Sequence, residues 1–194
     1  MRYSLALLAL LTLCATSPAC GSDNAITAPS STPTPLTVTF NGLSDRSCNG
    51  LFPLSPHCAV RSYIESGITV SAISGDWLVR NDYGSPAPFI QFVAAPGVTG
   101  TGELRVTARD ATFSFASVDL YSSTTSIPYK ISGLRNLATV FTLSDTLPNT
   151  FGNFVTVTNP GSPEAIDALS IVLTNPAAQC CRNPAGIDAL TLVQ

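Results

Sequence analysis

The chain has 194 residues, of which 45% are hydrophobic and only 11% charged, with a net charge of -3. This balance excludes a highly charged disordered chain. With no Lys/Arg cluster or basic-aromatic stripe to offset the acidity, it also argues against nucleic acid as a partner.

Arg2 precedes an apolar run from Ser4 to Leu13 that ends in Ala15-Thr16-Ser17-Pro18-Ala19. A basic start, an apolar stretch of about ten residues and a small-residue exit predict a signal peptide over 1–19, because the stretch is too short for a bilayer core of about 30 Å. Cys20-Gly21-Ser22-Asp23 after Ala19 resembles the cleavage site of bacterial lipoproteins, in which the cysteine is acylated. Ser17 and Pro18 stand where that motif has Leu and a small residue. The resemblance implies lipidation at Cys20 as the only link to a membrane. Ser17-Pro18-Ala19 equally suits ordinary signal peptidase, so the expected place is the bacterial cell envelope, lipid-anchored or secreted. Residues 20–36 are rich in Ser, Thr, Pro and Ala without apolar period and predict a tether.

From residue 37 to 194 the apolar period is two. Val38 and Phe40 alternate with Thr37 and Thr39, Leu104 and Val106 with Arg105 and Thr107, and Phe113, Phe115, Val118 and Leu120 share a run with polar residues. Further strands are predicted at 59–64, 68–73, 77–80, 89–93, 128–132, 139–144, 154–158, 168–174 and 189–193. Gly75, Gly84-Ser85-Pro86, Gly133, Pro148-Asn149 and Asn159-Pro160-Gly161 are among the breakers between them. About ten short strands with almost no helical window predict one all-β domain, a sandwich or barrel.

Ala165-Ile166-Asp167-Ala168-Leu169 and Gly186-Ile187-Asp188-Ala189-Leu190 form one short repeat, expected to be two strands with the same entry geometry. The segment 183–192, with Phe113-Ser114-Phe115-Ala116-Ser117-Val118-Asp119-Leu120-Tyr121, resembles the closing and central strands of exported bacterial jelly-roll proteins of the galactose-binding-like, carbohydrate-binding-module type. The resemblance implies a single jelly-roll-like β-sandwich of antiparallel strands. In that family an acid near the last strand joins oxygens near the first to hold a structural calcium. Here that implies Asp188 with Asn41 and Asp45, since calcium takes six to eight oxygens. Asp capping of local N–H groups is the alternative.

Besides Cys14 in the signal and Cys20, the domain holds Cys48, Cys58, Cys180 and Cys181. An even count in an exported chain predicts two disulfides, for which four cysteines permit three connectivities. A vicinal Cys180-Cys181 bridge strains the intervening peptide, so cross-pairing of Cys48 and Cys58 with Cys180 and Cys181 is favoured. Each bridge would then contribute about 4–5 kcal/mol by loop closure. The spacing matches no zinc site.

For chemistry the chain offers little. His57 is the single histidine, lies in a Pro-rich loop and has no G-x-S-x-G partner, so it is expected to be a surface residue rather than a base. Glu65, Asp76 and Asp82 show no spacing that marks a carboxylate pair. The stretch Asp76-Trp77-Leu78-Val79-Arg80-Asn81-Asp82-Tyr83 combines aromatic faces with groups that bind hydroxyls. It makes Asp76, Trp77, Arg80, Asp82 and Tyr83 the candidate glycan-binding edge. Trp77 also alternates with Val79 as a core residue would. Tyr121 and Tyr129 flank a second, weaker candidate. The expected function is a non-catalytic extracytoplasmic binding module for glycan or another surface ligand. Alternatives are a structural or assembly protein of the cell surface, with self-association, and a glycan-active enzyme. An exposed Trp77 favours binding; a buried one beside strand edges favours assembly.

Overall fold

The computed structural model describes residues 33–44, 58–81, 84–95, 97–161, 164–176 and 184–194. The chain divides into two compact units, Met1–Thr32 and Pro33–Gln194, and the described residues all belong to the second. The signal, Cys20, His57, Cys48, Cys180, Cys181, Asp45, Asp82 and Tyr83 lie outside them.

Twelve strands are present among the described residues: β1 (Pro35–Val38), β2 (Ser62–Glu65), β3 (Ile68–Ser74), β4 (Trp77–Arg80), β5 (Phe89–Phe92), β6 (Gly100–Ala108), β7 (Ser114–Ser122), β8 (Ile127–Arg135), β9 (Ala138–Leu147), β10 (Val155–Thr158), β11 (Ala168–Asn175) and β12 (Ala185–Val193). Pro35 and Leu36, expected at the end of the tether, already pair with Val193 and Leu192. One 3-10 turn, Asn41–Leu43, follows β1.

All pairings are antiparallel. The first sheet runs β10-β7-β12-β5-β4, with β1 beside the C-terminal half of β12 and β5 beside its N-terminal half. The second runs β2-β3-β6-β11-β8-β9. The chain crosses repeatedly between the two, giving a jelly-roll-like β-sandwich. Between the sheets lies one core, built from residues of every long strand, including Val38, Ile68, Val70, Trp77, Ile90, Leu104, Val106, Phe115, Leu120, Ile131, Ile171 and Leu192.

The two sheets differ on their outer faces. In the second sheet, β11 reads buried and half-buried in strict alternation, as a strand with one solvated face must. In the first, β4 and β5 are buried at every residue. Their outward residues Leu78, Arg80, Phe89 and Gln91 are covered like the inward ones. A second, thinner layer therefore lies outside the first sheet. In it Phe89, Tyr121 and Phe154 meet edge to face with centroids 5.1–5.4 Å apart, and the Tyr121 hydroxyl donates to Gln91 Oε1 at 3.2 Å. Gly186 admits the Tyr121 ring, since a Cβ there would fall 1.8 Å from Tyr121 Cε1. Cys58 packs on Leu78 in the same layer and is disulfide-bonded; its connectivity lies outside the described residues.

The two copies of the repeat are both strand-associated but enter differently. Asp167 precedes β11 and accepts the Asn136 N–H at 2.6 Å. Asp188 sits within β12, which begins at Ala185 rather than at residue 189. A bulge follows it, with Ala189 at φ 41° and a register shift before Thr191.

Candidate functional site

The described members of the expected glycan edge, Asp76, Trp77 and Arg80, do not share one ligand surface. Trp77 is 1% exposed, its ring packs on Phe92 at 5.7 Å, and its Nε1–H donates to the Ser74 carbonyl at 3.0 Å. The Trp ring is therefore core, oriented by the Gly75 turn, whose φ of 80° suits glycine and whose missing Cβ leaves room for Phe92. Arg80, expected on a solvated turn or at the ligand, is 3% exposed in the outer layer of the first sheet. Of the described members, only Asp76 is open to solvent.

Asp76 does line a cleft. The segment Ala59 to Arg61 leaves one sheet for the other: Val60 N–H donates to the Trp77 carbonyl at 2.8 Å, and Ala72 N–H to the Arg61 carbonyl at 2.9 Å. This crossing bounds a cavity of about 460 Å³ whose wall includes Arg61, Ile73, Ser74, Gly75 and Asp76. It combines one cation, one carboxylate, a hydroxyl and an apolar side chain, a set suited to a small polar ligand. Arg61 was not among the expected site residues; only its pairing beside β3 puts it on the same cavity wall as Asp76.

Asp188 is the most perturbed acid. It stands directly opposite Asp119 of β7, is 3% exposed, and its Oδ1 has no hydrogen-bond partner. Burial pushes its carboxyl up from 3.8 to about 7; the Ala189 N–H pulls it down, and the charges of Asp119 and Glu65 push it further up. Asp119 accepts the Thr156 hydroxyl at 2.6 Å. Glu65 accepts the N–H groups of Thr39 and Phe40 at 2.8 and 3.1 Å and the Thr39 hydroxyl at 2.9 Å, tying the turn after β1 to β2. Asn41 is exposed on that turn. Among the described residues no three His, Cys, Asp or Glu side chains are arranged to hold a metal ion. Of the expected calcium set, Asp188 carries an oxygen without a hydrogen-bond partner, Asn41 is exposed on the turn after β1, and Asp45 lies outside the described residues.

Tyr121 and Tyr129, which flank the β7–β8 turn, part company. Tyr121 is buried in the outer layer, whereas Tyr129 is half-buried and lines a cavity of about 300 Å³ at the far edge of the sandwich.

No family model matches the sequence, and no curated protein matches it. Solved structures do. A DUF4465 family protein from Bacteroides caccae superposes with a TM-score of 0.53 at 11% identity, over 83% of this chain and 99% of that one. A family 29 carbohydrate-binding module from Piromyces equi gives 0.47 at 11% identity, covering 83% and 90%. The family 32 module of C. perfringens NanJ, in complex with galactose, gives 0.45 at 16% identity, covering 71% and 98%. At such identities the likeness is one of fold.

Proposed function

We propose that the chain is a non-catalytic, extracytoplasmic binding module whose ligand is a glycan, held in the cleft of Arg61, Ser74 and Asp76. The observation that supports this reading is the cleft itself. Arg61 and Asp76 line one cavity from neighbouring segments, and side chains of this kind donate to and accept from sugar hydroxyls. The test is a glycan array probed with the full-length protein, oxidised, beside Arg61→Ala and Asp76→Ala. The reading expects at least one bound glycan class, lost in both variants without a change in melting temperature. An empty array overturns it.

A rival reading, a surface assembly protein without a small ligand, is favoured by two observations. Trp77 is buried, and β2, at one edge of the second sheet, leaves Ile64 exposed. Concentration-dependent oligomers with an empty array would establish it.

Export and lipidation at Cys20 belong to the same proposal and rest on residues 1–36. Membrane fractionation with Cys20→Ser tests them. Structural calcium at Asp188 is likewise a proposal, supported by the orphaned Oδ1. Calcium should raise the melting temperature of the parent and not of Asp188→Asn.

A further inference from the structure

The sandwich is open where edge strands β9 and β10 face each other, one from each sheet. The groove between them, about 300 Å³, is lined by Tyr129, Asp145, Leu147, Pro148, Val155 and Val157, among others. Leu143, Asp145 and Leu147 alternate with Ser144 and Thr146 along β9. Leu147 is core and Leu143 packs against it, so Asp145 shares their side of the edge strand, where it remains exposed to solvent. Directly opposite on β8 stands Tyr129, whose ring also packs on the core. Burial raises the Tyr129 hydroxyl pKa, and the Asp145 charge raises it further, which places the two groups in one field.

At one end of the groove the chain turns from Pro148 to Val155, and this turn is unusually constrained. Thr150 Oγ1 accepts the Ser122 N–H at 2.9 Å and donates to the Ser122 carbonyl at 2.9 Å. Thr150 N–H donates to Ser122 Oγ at 3.2 Å, and Gly152 N–H to the Ser122 carbonyl at 3.0 Å. Asn149 bridges the Thr124 carbonyl and the Phe151 N–H. What this scaffold displays is Phe151, 80% exposed, at φ 53°. A bulky residue at positive φ is strained, and strain held by so many bonds marks a position that the fold maintains.

We propose that this groove is a second saccharide subsite, in which the Tyr129 ring supports the apolar side of a sugar and Asp145 accepts its hydroxyls. The inference rests on the glycan reading above and adds a site to it. The lining selects this ligand over a polypeptide strand. A carboxylate on the edge strand and Pro148 at its end oppose strand addition, including that of a second copy. A neutral polyhydroxylated ring matches one carboxylate beside aromatic and aliphatic surface. A cavity at the small end of the ligand-site range suits one or two sugar units.

The test is an amide NMR titration of the full-length protein with a neutral manno-oligosaccharide, a galacto-oligosaccharide and a cello-oligosaccharide in turn. Expected are shifts at Tyr129, Asp145, Val155 and Val157 with at least one probe. Tyr129→Ala should weaken that response roughly tenfold, with Tyr129→Phe retaining it. Shifts confined to Arg61 and Asp76, untouched by these variants, overturn the second subsite and leave the first. No shift with a probe class that the array has shown to bind also overturns it, whereas an empty array overturns the glycan reading itself. Broadening along β9 and β10 on concentration alone identifies self-pairing and overturns the saccharide assignment.

Discussion

The two sheets are of equal strand number, yet their outer faces obey different rules. On the second, the outward residues form an ordinary solvated surface: Glu103 Oε1 accepts from Arg105 of the same strand at 3.0 Å and from the Ser170 hydroxyl of neighbouring β11 at 2.9 Å. On the first, the corresponding positions carry Phe89, Gln91, Tyr121, Arg80 and Asp188, all buried. The difference teaches that one face of this sandwich spends its strands on solubility. The other holds aromatic and polar groups together in a second layer, where each polar group is costly unless it finds a partner.

The largest effect that separates the faces is expected from Phe89→Ala, which empties the aromatic cluster with Tyr121 and Phe154. It should cost about 3–5 kcal/mol in chemical denaturation. A loss below 1 kcal/mol would show that the outer layer contributes nothing to stability. Next, Gly186→Ala drives a methyl into the Tyr121 ring and should cost about 2–3 kcal/mol, partly recovered by adding Tyr121→Ala.

Asp188→Asn sharpens the comparison through pH. The folded-state pKa of about 7 lies above the ordinary 3.8, so the native state binds the proton more tightly than the unfolded one. Stability is then highest below about pH 4, falls as the unfolded carboxyl ionises, and levels off above pH 7. In EDTA the variant should gain about 2 kcal/mol over the parent at pH 8 and nothing at pH 4, by melts at both values. An equal difference at the two pH values would remove the ionisation argument. The smallest effect belongs to the solvated face: Arg105→Ala should cost about 0–1 kcal/mol and lose even that in high salt.

Much of the strand order was legible because one-sided burial imposes period two. β3 and β11 were placed to within one residue at each end from Val/Thr/Ile alternation and Gly or Pro punctuation, whereas β4, placed to the residue, is buried on both faces. The same logic failed at β12. Gly186 and Asp188 looked like a turn before a strand, whereas they are strand residues beneath Tyr121 and opposite Asp119. At the site, Trp77 illustrates the ambiguity. An aromatic alternating with Val79 satisfies both a ligand edge and a core, and pairing with Phe92 decided for the core. Arg61 and Asp145 carried no local signal; Tyr129 stood out only as an aromatic beside a polar turn.

By itself, then, the sequence determined an all-β domain with polar breaks at the strand ends, because alternation and turn chemistry act over neighbouring residues. Only the tertiary structure decided which faces are doubly covered, which acids confront each other, and where the two sheets part to leave a cleft. Those properties arise from register between strands such as β7 and β12 or β8 and β9, and from stacking of one sheet on the other. Neither distance along the chain nor local composition encodes which side chains such pairing brings together.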